Sequence, residues 1–249
     1  MRLKNKVAII TGAASGFGAE IARLFALEGA MVVVSDINLA GAKSVAAEIG
    51  SAALAIKADV SLRPDIDHLV TSCIAEFGVP DIVVNNAGFT HRNQPLLDVD
   101  EALFDKVFAV NVKSIFHMVG AVVPHMRRRG SGVILNIGST AGIRPRPGLT
   151  WYNGSKAAVN LLSRSLAVEL GNDGIRVNVI CPVMGETAML ADFMGVSDTP
   201  ENRAKFIATI PLGRLARPID IARAALYLAS DDAEFITGVE FPVDGGRTV

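Results

Sequence analysis

Tyr152 and Lys156 stand four residues apart, thirteen residues after Ser139. On an α-helix, positions i and i+4 share one face, so a phenol and an ammonium at that spacing converge on one point. A free tyrosine, with a pKa of about 10, is a poor proton donor or acceptor near neutrality. A cation ~4 Å away is worth roughly 4 kcal/mol at an effective dielectric of about 20. That is enough to lower the phenol pKa by as much as about 3. The pair is read as an acid/base device for a substrate hydroxyl or carbonyl.

A second group of residues points to a cofactor. Thr11-Gly12-Ala13-Ala14-Ser15-Gly16-Phe17-Gly18 joins an apolar strand-like run to an amphipathic segment. Glycines at such a turn let the backbone approach a pyrophosphate, which then faces the N-terminus of the following helix. The spacing is G-x-x-x-G-x-G rather than the commoner G-x-G-x-x-G. Asp36 ends the next apolar run, where a carboxylate accepts hydrogen bonds from ribose hydroxyls and repels a 2′-phosphate. No Lys or Arg lies between Thr11 and Gly18, and Ile37 follows the acid, so NAD (as NADH) is favoured over NADP. Asp59 and Val60 can place a second carboxylate beside the adenine.

These residues need a scaffold. Strand-like runs at 7–11, 31–35, 54–58, 81–85, 133–137, 175–180 and 239–243 alternate with helix-like segments at 19–27, 39–49, 64–77, 101–128, 153–170 and 218–229. Short Val/Ile-rich runs suit strands covered on both faces. The alternation predicts an α/β fold with a doubly wound parallel sheet of seven strands in one domain, 1–249. The stretch 184–212 carries Gly185, Gly195, Pro200 and Pro211 and lies beyond the carboxyl end of a strand. It is expected to be a lid over the ligand.

Composition narrows the function. The chain has 249 residues, 50% hydrophobic, with a formal net charge of −1 and a mean hydropathy of +0.39. No basic tail recommends nucleic acid or an anionic membrane as a partner. No apolar run approaches the ~20 residues of a membrane span. Cys73 and Cys181 stand alone, which suits reduced thiols, and the four histidines show no metal-ligand spacing. No signal-peptide pattern opens the chain, so a cytoplasmic location is expected.

Assembled in order, these motifs resemble the short-chain dehydrogenase/reductase family, in its single-domain branch of about this length, with similarity to 3-oxoacyl reductase-like and glucose or alcohol dehydrogenase-like members. The resemblance rests on Thr11 to Gly18, Asn85-Asn86-Ala87-Gly88, Asn111, Ser139, Tyr152 with Lys156, and Val243-Asp244-Gly245-Gly246. It implies a Rossmann-type fold and an NAD-dependent oxidoreductase interconverting an alcohol and a ketone. It implies that Tyr152 is the general acid/base and that Ser139 hydrogen-bonds the substrate oxygen. Lys156 would lower the Tyr152 pKa and hold the nicotinamide ribose, and Asn111 would anchor a water linking Lys156 to solvent. The cofactor would be held by Gly12, Ser15, Gly16, Phe17, Gly18, Asp36, Asp59, Val60, Asn86, Ala87, Gly88, Tyr152, Lys156, Pro182, Val183 and Thr187. In such a family the helices 101–128 and 153–170 pair across a dimer, and the C-terminal strand completes a homotetramer.

Two departures stand out. Pro182-Val183 replaces the Pro-Gly common in the family, and Gly185 is expected to restore the lost backbone freedom. Gly154 sits where alanine is common, which either admits a close approach or is tolerated drift. For a small-molecule alcohol or ketone the candidate contacts are His91, Arg144, Met184 and Met189, with Asn93, Arg146, Leu149, Trp151, Leu190, Phe193 and Met194 nearby. A 3-oxoacyl thioester reductase, a sugar or polyol dehydrogenase and a catalytically silent dinucleotide sensor are the competing readings.

Overall fold

In a computed structural model, which describes residues 1–186 and 189–249, the strands form a single sheet. They are β1 (Val7–Thr11), β2 (Met31–Asp36), β3 (Ala53–Lys57), β4 (Ile82–Asn85), β5 (Gly132–Ile137), β6 (Ile175–Pro182) and β7 (Glu240–Val243). Their order is β3-β2-β1-β4-β5-β6-β7, with every pairing parallel. All five β1 residues are buried, as are all four of β4, as expected for strands with helices on both faces.

The helices are α1 (Gly16–Leu27), α2 (Leu39–Ile49), α3 (Arg63–Phe77), α4 (Glu101–Phe108), α5 (Ser114–Arg129), α6 (Thr150–Leu170), α7 (Leu190–Met194), α8 (Pro200–Ile207) and α9 (Pro218–Ala229). Their starts follow local chemistry. Asn38 Oδ1 accepts the Gly41 amide at α2, Asp100 Oδ1 accepts the Leu103 amide at α4, and Thr199 Oγ1 accepts the Asn202 amide at α8. Proline occupies the first turn of α3, α8 and α9, where its missing N–H costs nothing.

Two apolar layers hold these helices to the sheet. Ile21, Phe25, Val45, Ile221 and Leu228 pack α1, α2 and α9 on one face. Leu69, Met118, Val122, Met126 and Leu170 pack α3, α5 and α6 on the other. Each fully buried Leu, Ile or Met contributes roughly 1.5–3 kcal/mol.

The segment read as one helix over 101–128 is interrupted. A π turn at Ala109–Lys113 separates α4 from α5, and the Ser114 amide reaches Ala109 O, five residues back. The segment also amends the reading of apolar runs. By length and composition 101–129 could cross a membrane, with a window of mean hydropathy 1.5, yet half of that window is buried inside this fold. Helix α6 begins three residues before the expected start, so Tyr152 and Lys156 fall in its first two turns.

Between β1 and β4 the winding reverses. In parallel α/β sheets the crevice beyond the carboxyl ends of such strands is where ligands bind. Thr11 shapes it, its Oγ1 accepting the amides of Asn86 and Ala87 at 3.1 Å each. Asn86 Nδ2 returns bonds to Thr11 O and Gly12 O.

Candidate active site

A cavity of about 730 Å³ opens at this crevice. Gly12 and Gly16 have φ of 64° and 56°, the left-handed region where a side chain is strained. A Cβ on Gly12 would stand 2.7 Å from Ala87 Cα, and one on Gly18 would overlap Gly12 O and Asn86 Nδ2. The loop is therefore closed tightly over β4. Ser15 gives no side-chain cap to α1, and no acidic residue stands in its first turn. The first N–H groups of α1 thus remain available to an anion. Gly12, Ser15, Gly16 and Phe17 line the cavity, while Gly18 stands behind them as a packing residue.

Asp36 marks one end. Its Oδ2 accepts the Ala14 amide at 3.0 Å and its Oδ1 the Asn38 amide at 2.8 Å, which aims the carboxylate while leaving each oxygen a free lone pair. Ile37 beside it is 61% exposed. Asp59 and Val60 also reach this end. Asp59 Oδ1 is occupied by the Ser61 amide and hydroxyl, a turn that leads into α3.

Asn86, Ala87, Gly88, Pro182 and Val183 form the middle of the wall. Gly185 serves a purpose other than the expected backbone freedom: a Cβ there would run into the Phe17 ring. Around Gly154 nothing lies within 4 Å of an added Cβ, so no close approach within this chain calls for glycine. Thr187 lies outside the described residues.

Ser139, Tyr152 and Lys156 meet at the far side of the crevice. Ser139 caps a 3₁₀ turn, Thr140–Gly142, its Oγ accepting the Ala141 amide at 3.0 Å. Tyr152 is 5% exposed, and its ring meets Phe193 edge-on with centroids 5.1 Å apart. Lys156 Nζ donates to Ile137 O at 2.7 Å and stands 5.9 Å from the Tyr152 ring centroid. Burial pushes the Tyr152 phenol up to about 12, against the pull of the Ser139 hydroxyl, which favours the phenolate. Burial lowers Lys156 to about 8. The direction is opposite to the depressed phenol expected from the spacing, because desolvation dominates at Tyr152 while Lys156 is held on a strand carbonyl.

Asn111 sits on the π turn. Its Nδ2 donates to Phe89 O and Ser155 Oγ at 2.9 Å each, and its Oδ1 accepts the Phe89 amide at 2.8 Å. Ser155 Oγ in turn donates to Tyr152 O. Asn111 therefore ties the chain after β4 to the helix that carries the tyrosine. A Cβ built on Gly88 lies 3.6 Å from both Asn111 Oδ1 and Lys156 Nζ, so the two groups face the same spot.

Beyond Tyr152 the wall turns apolar, then basic. Met184, Met189, Leu149 and Phe193 line it, with Arg144 and Arg146. His91 does not. It is 2% exposed in the loop after β4, with Nδ1 against Arg92 O at 2.8 Å, so its ring is packed within the protein rather than on the cavity wall. Asn93 is a fastener rather than a wall residue. Its amide donates to Asp192 O and its Nδ2 to Pro147 O, and Gly148 and Gly195 close on it from two sides. Trp151 packs edge-on against Phe104, and Leu190 and Met194 form the interior of the segment above the cavity with Ile210 and Leu215.

Sequence reasoning missed Phe206, Lys205 and Arg247 on this wall. The signal for Arg247 was legible. Asp244 followed by two glycines at positive φ is a turn, and its carboxylate accepts the amides of Gly246 and Thr248. That turn folds the tail back to the cavity.

A family model described as enoyl-(acyl carrier protein) reductase matches residues 12–248. The chain is 51% identical over 252 residues to 4-formylbenzenesulfonate dehydrogenase of Comamonas testosteroni, covering 100% of each. It is 41% identical over 249 residues to 7alpha-hydroxysteroid dehydrogenase of Escherichia coli K12, covering 99% of this chain and 95% of the relative. Among solved structures, 3-ketoacyl-(acyl-carrier-protein) reductase of Brucella melitensis complexed with NADH superposes with a TM-score of 0.94 at 45% identity, covering 99% of this chain and 100% of that one. With a sheet, crevice and residue order of this kind, and relatives of this closeness along its whole length, the chain belongs to the short-chain dehydrogenase/reductase family of oxidoreductases.

Proposed function

We propose that the protein is an NAD(H)-dependent oxidoreductase that interconverts a secondary alcohol and a ketone, with Tyr152 as general acid/base. The observation that carries this is one cavity with Asp36 at one end and Ser139, Tyr152 and Lys156 together beyond the glycine loop. The wall fits a dinucleotide: uncapped α1 amides for the pyrophosphate, a carboxylate with free lone pairs for the ribose, and a lysine near Gly88 for the second ribose. When bound, the nicotinamide supplies or accepts the hydride. Tyr152 donates the proton to the carbonyl oxygen in reduction and removes it from the alcohol in oxidation. Ser139 holds that same oxygen, and Lys156 stabilises the phenolate once charge develops there. Asn111 anchors a water that returns protons to Lys156. Segment 184–212 acts as the lid.

A 3-oxoacyl thioester reductase is the second reading, favoured by the likeness to the Brucella reductase. An aryl alcohol or aldehyde is a third, favoured by the relative named for 4-formylbenzenesulfonate.

The test is NADH oxidation, with NADPH in parallel, against ketones, keto sugars, aryl carbonyls and a β-ketoacyl thioester. Turnover with NADH is expected; none with any carbonyl would overturn the reading. The pH dependence has a definite sign. A phenol pushed up to about 12 is protonated at neutrality, ready as an acid and unready as a base. In kcat/KM, reduction should be flat near neutrality and fall at alkaline pH, while oxidation should climb as pH rises from about 6 to 10. An oxidation profile flat over that range would exclude the tyrosine as base.

We also propose a homotetramer. Phe116, Leu161, Leu162 and Val168 are exposed on α5 and α6, apolar faces that a second copy would cover. Light scattering should give a mass about four times the chain's 26.2 kDa; a stable monomer would refute the assembly.

A further inference from the structure

The cavity is electrically polarised. Asp36 and Asp59 stand at its dinucleotide end, whereas Arg144, Arg146 and Arg247 stand at the other. Among the described residues, none of these three arginines has a carboxylate within ion-pair distance. The acid that most favours Arg247 is Asp244, which stands outside ion-pair distance and accepts the Gly246 and Thr248 amides and the Thr248 hydroxyl. Arg144 Nη1 donates to the Arg247 backbone carbonyl at 3.0 Å, which ties the Arg144 side chain to the tail that carries Arg247. Arg146 and Arg247 are both partly buried. The guanidinium of Arg146 lies over the Phe206 ring, 4.6 Å from its centroid, and makes no hydrogen bond of its own among the described residues. Like charges crowded out of water without a counter-charge are costly, and proteins keep them where an anion completes the set. Burial and the neighbouring Arg247 both lower the Arg146 pKa, and burial and Arg144 lower that of Arg247, as expected for an unsatisfied cluster.

We propose that this end is an anion subsite, in which Arg146 and Arg247, supported by Arg144, hold a sulfonate or carboxylate carried by the substrate at the end remote from the reacting carbon. The inference rests on the oxidoreductase reading above and specifies its substrate class. A planar guanidinium offers paired donors that match the oxygens of a carboxylate or sulfonate. Between Tyr152 and the arginines the wall is apolar, with Phe193, Leu149 and Phe206, which suits a ring as spacer. The Asn153 side chain ties the two together: its Nδ2 donates to Arg146 O at 2.8 Å, and Asn153 adjoins Tyr152 on α6. The cofactor pyrophosphate does not claim these cations, since the α1 amides beside Asp36 provide for it.

The test pairs two substrates of like shape, 4-acetylbenzenesulfonate and the uncharged 4-(methylsulfonyl)acetophenone, with NADH. The sulfonate should be preferred in kcat/KM by about 50-fold, the worth of one charge-assisted pair of hydrogen bonds. That ratio should collapse toward unity in Arg146→Met, through KM, and be partly kept in Arg146→Lys. A wild-type ratio near unity, or one unchanged in Arg146→Met, overturns the proposal. Arg247→Met serves in the same way should Arg146→Met fail to fold. Calorimetric titration of the NADH-saturated protein with 4-acetylbenzenesulfonate separates this inference from the one beneath it. Binding weakened about 50-fold in Arg146→Met, without turnover, would support the subsite while the oxidoreductase reading fails. Binding absent, or indifferent to Arg146, overturns the subsite.

Discussion

Tyr152→Phe should lower kcat for carbonyl reduction by about 10³-fold or more while NADH still binds, because a positioned proton donor alone is worth about 10²–10⁴. The substitution is unusually clean here. The phenylalanine ring keeps the edge-on contact with Phe193 and the packing against Ala141 and Leu149. It loses one O–H in a site where, among the described residues, Ser139 is the hydroxyl acting on it. The melting temperature should therefore hold or rise slightly, since burying a hydroxyl is costly. Steady-state turnover and fluorescence titration with NADH, run on the same sample, check both halves. A variant keeping more than about a tenth of the wild-type rate would remove Tyr152 from the chemistry.

The second large effect concerns the other end of the cavity. Replacing Asp36 by Ser together with Ile37→Arg should shift the ratio of kcat/KM for NADH over NADPH by about 10²–10³ toward NADPH. A carboxylate facing a 2′-phosphate costs several kcal/mol, and each 1.36 kcal/mol is about tenfold. Ile37 is exposed at the cavity wall, so an arginine there has room to reach a phosphate without disturbing the core. Asp36 also accepts the amides of Ala14 and Asn38, so the variant should lose some affinity for either cofactor. The diagnostic quantity is the ratio, not either rate. An unmoved ratio would mean that Asp36 shapes the loop without choosing the cofactor.

The strands were legible because their Val/Ile runs have few other uses, and burial of β1 and β4 on both faces follows from composition alone. The acid/base pair, glycine loop and Asp36 were legible because spacing carries their geometry. Three things were not. The π turn at Ala109–Lys113 adds a residue to a helix without breaking its apolar pattern, so 101–128 reads as continuous. The phenol pKa depends on how dry the site is, and spacing says nothing of desolvation. His91 reads as a pocket residue yet is buried, since whether a loop side chain turns inward is decided by packing that spacing does not carry.

Each residue added to an α-helix rotates the downstream turns by about 100°. The extra residue in the π turn thus gives α4 and α5 independent rotational phases. Asn111 can face the loop after β4 and α6, while Ile115, Met118 and Val122, one turn and more beyond, still face the interior. Without the extra residue, α4 would be turned by about 100° relative to the core face of α5. The π turn therefore sets α4, whose Lys106 reaches the cavity wall, separately from the α5 face that packs on the sheet.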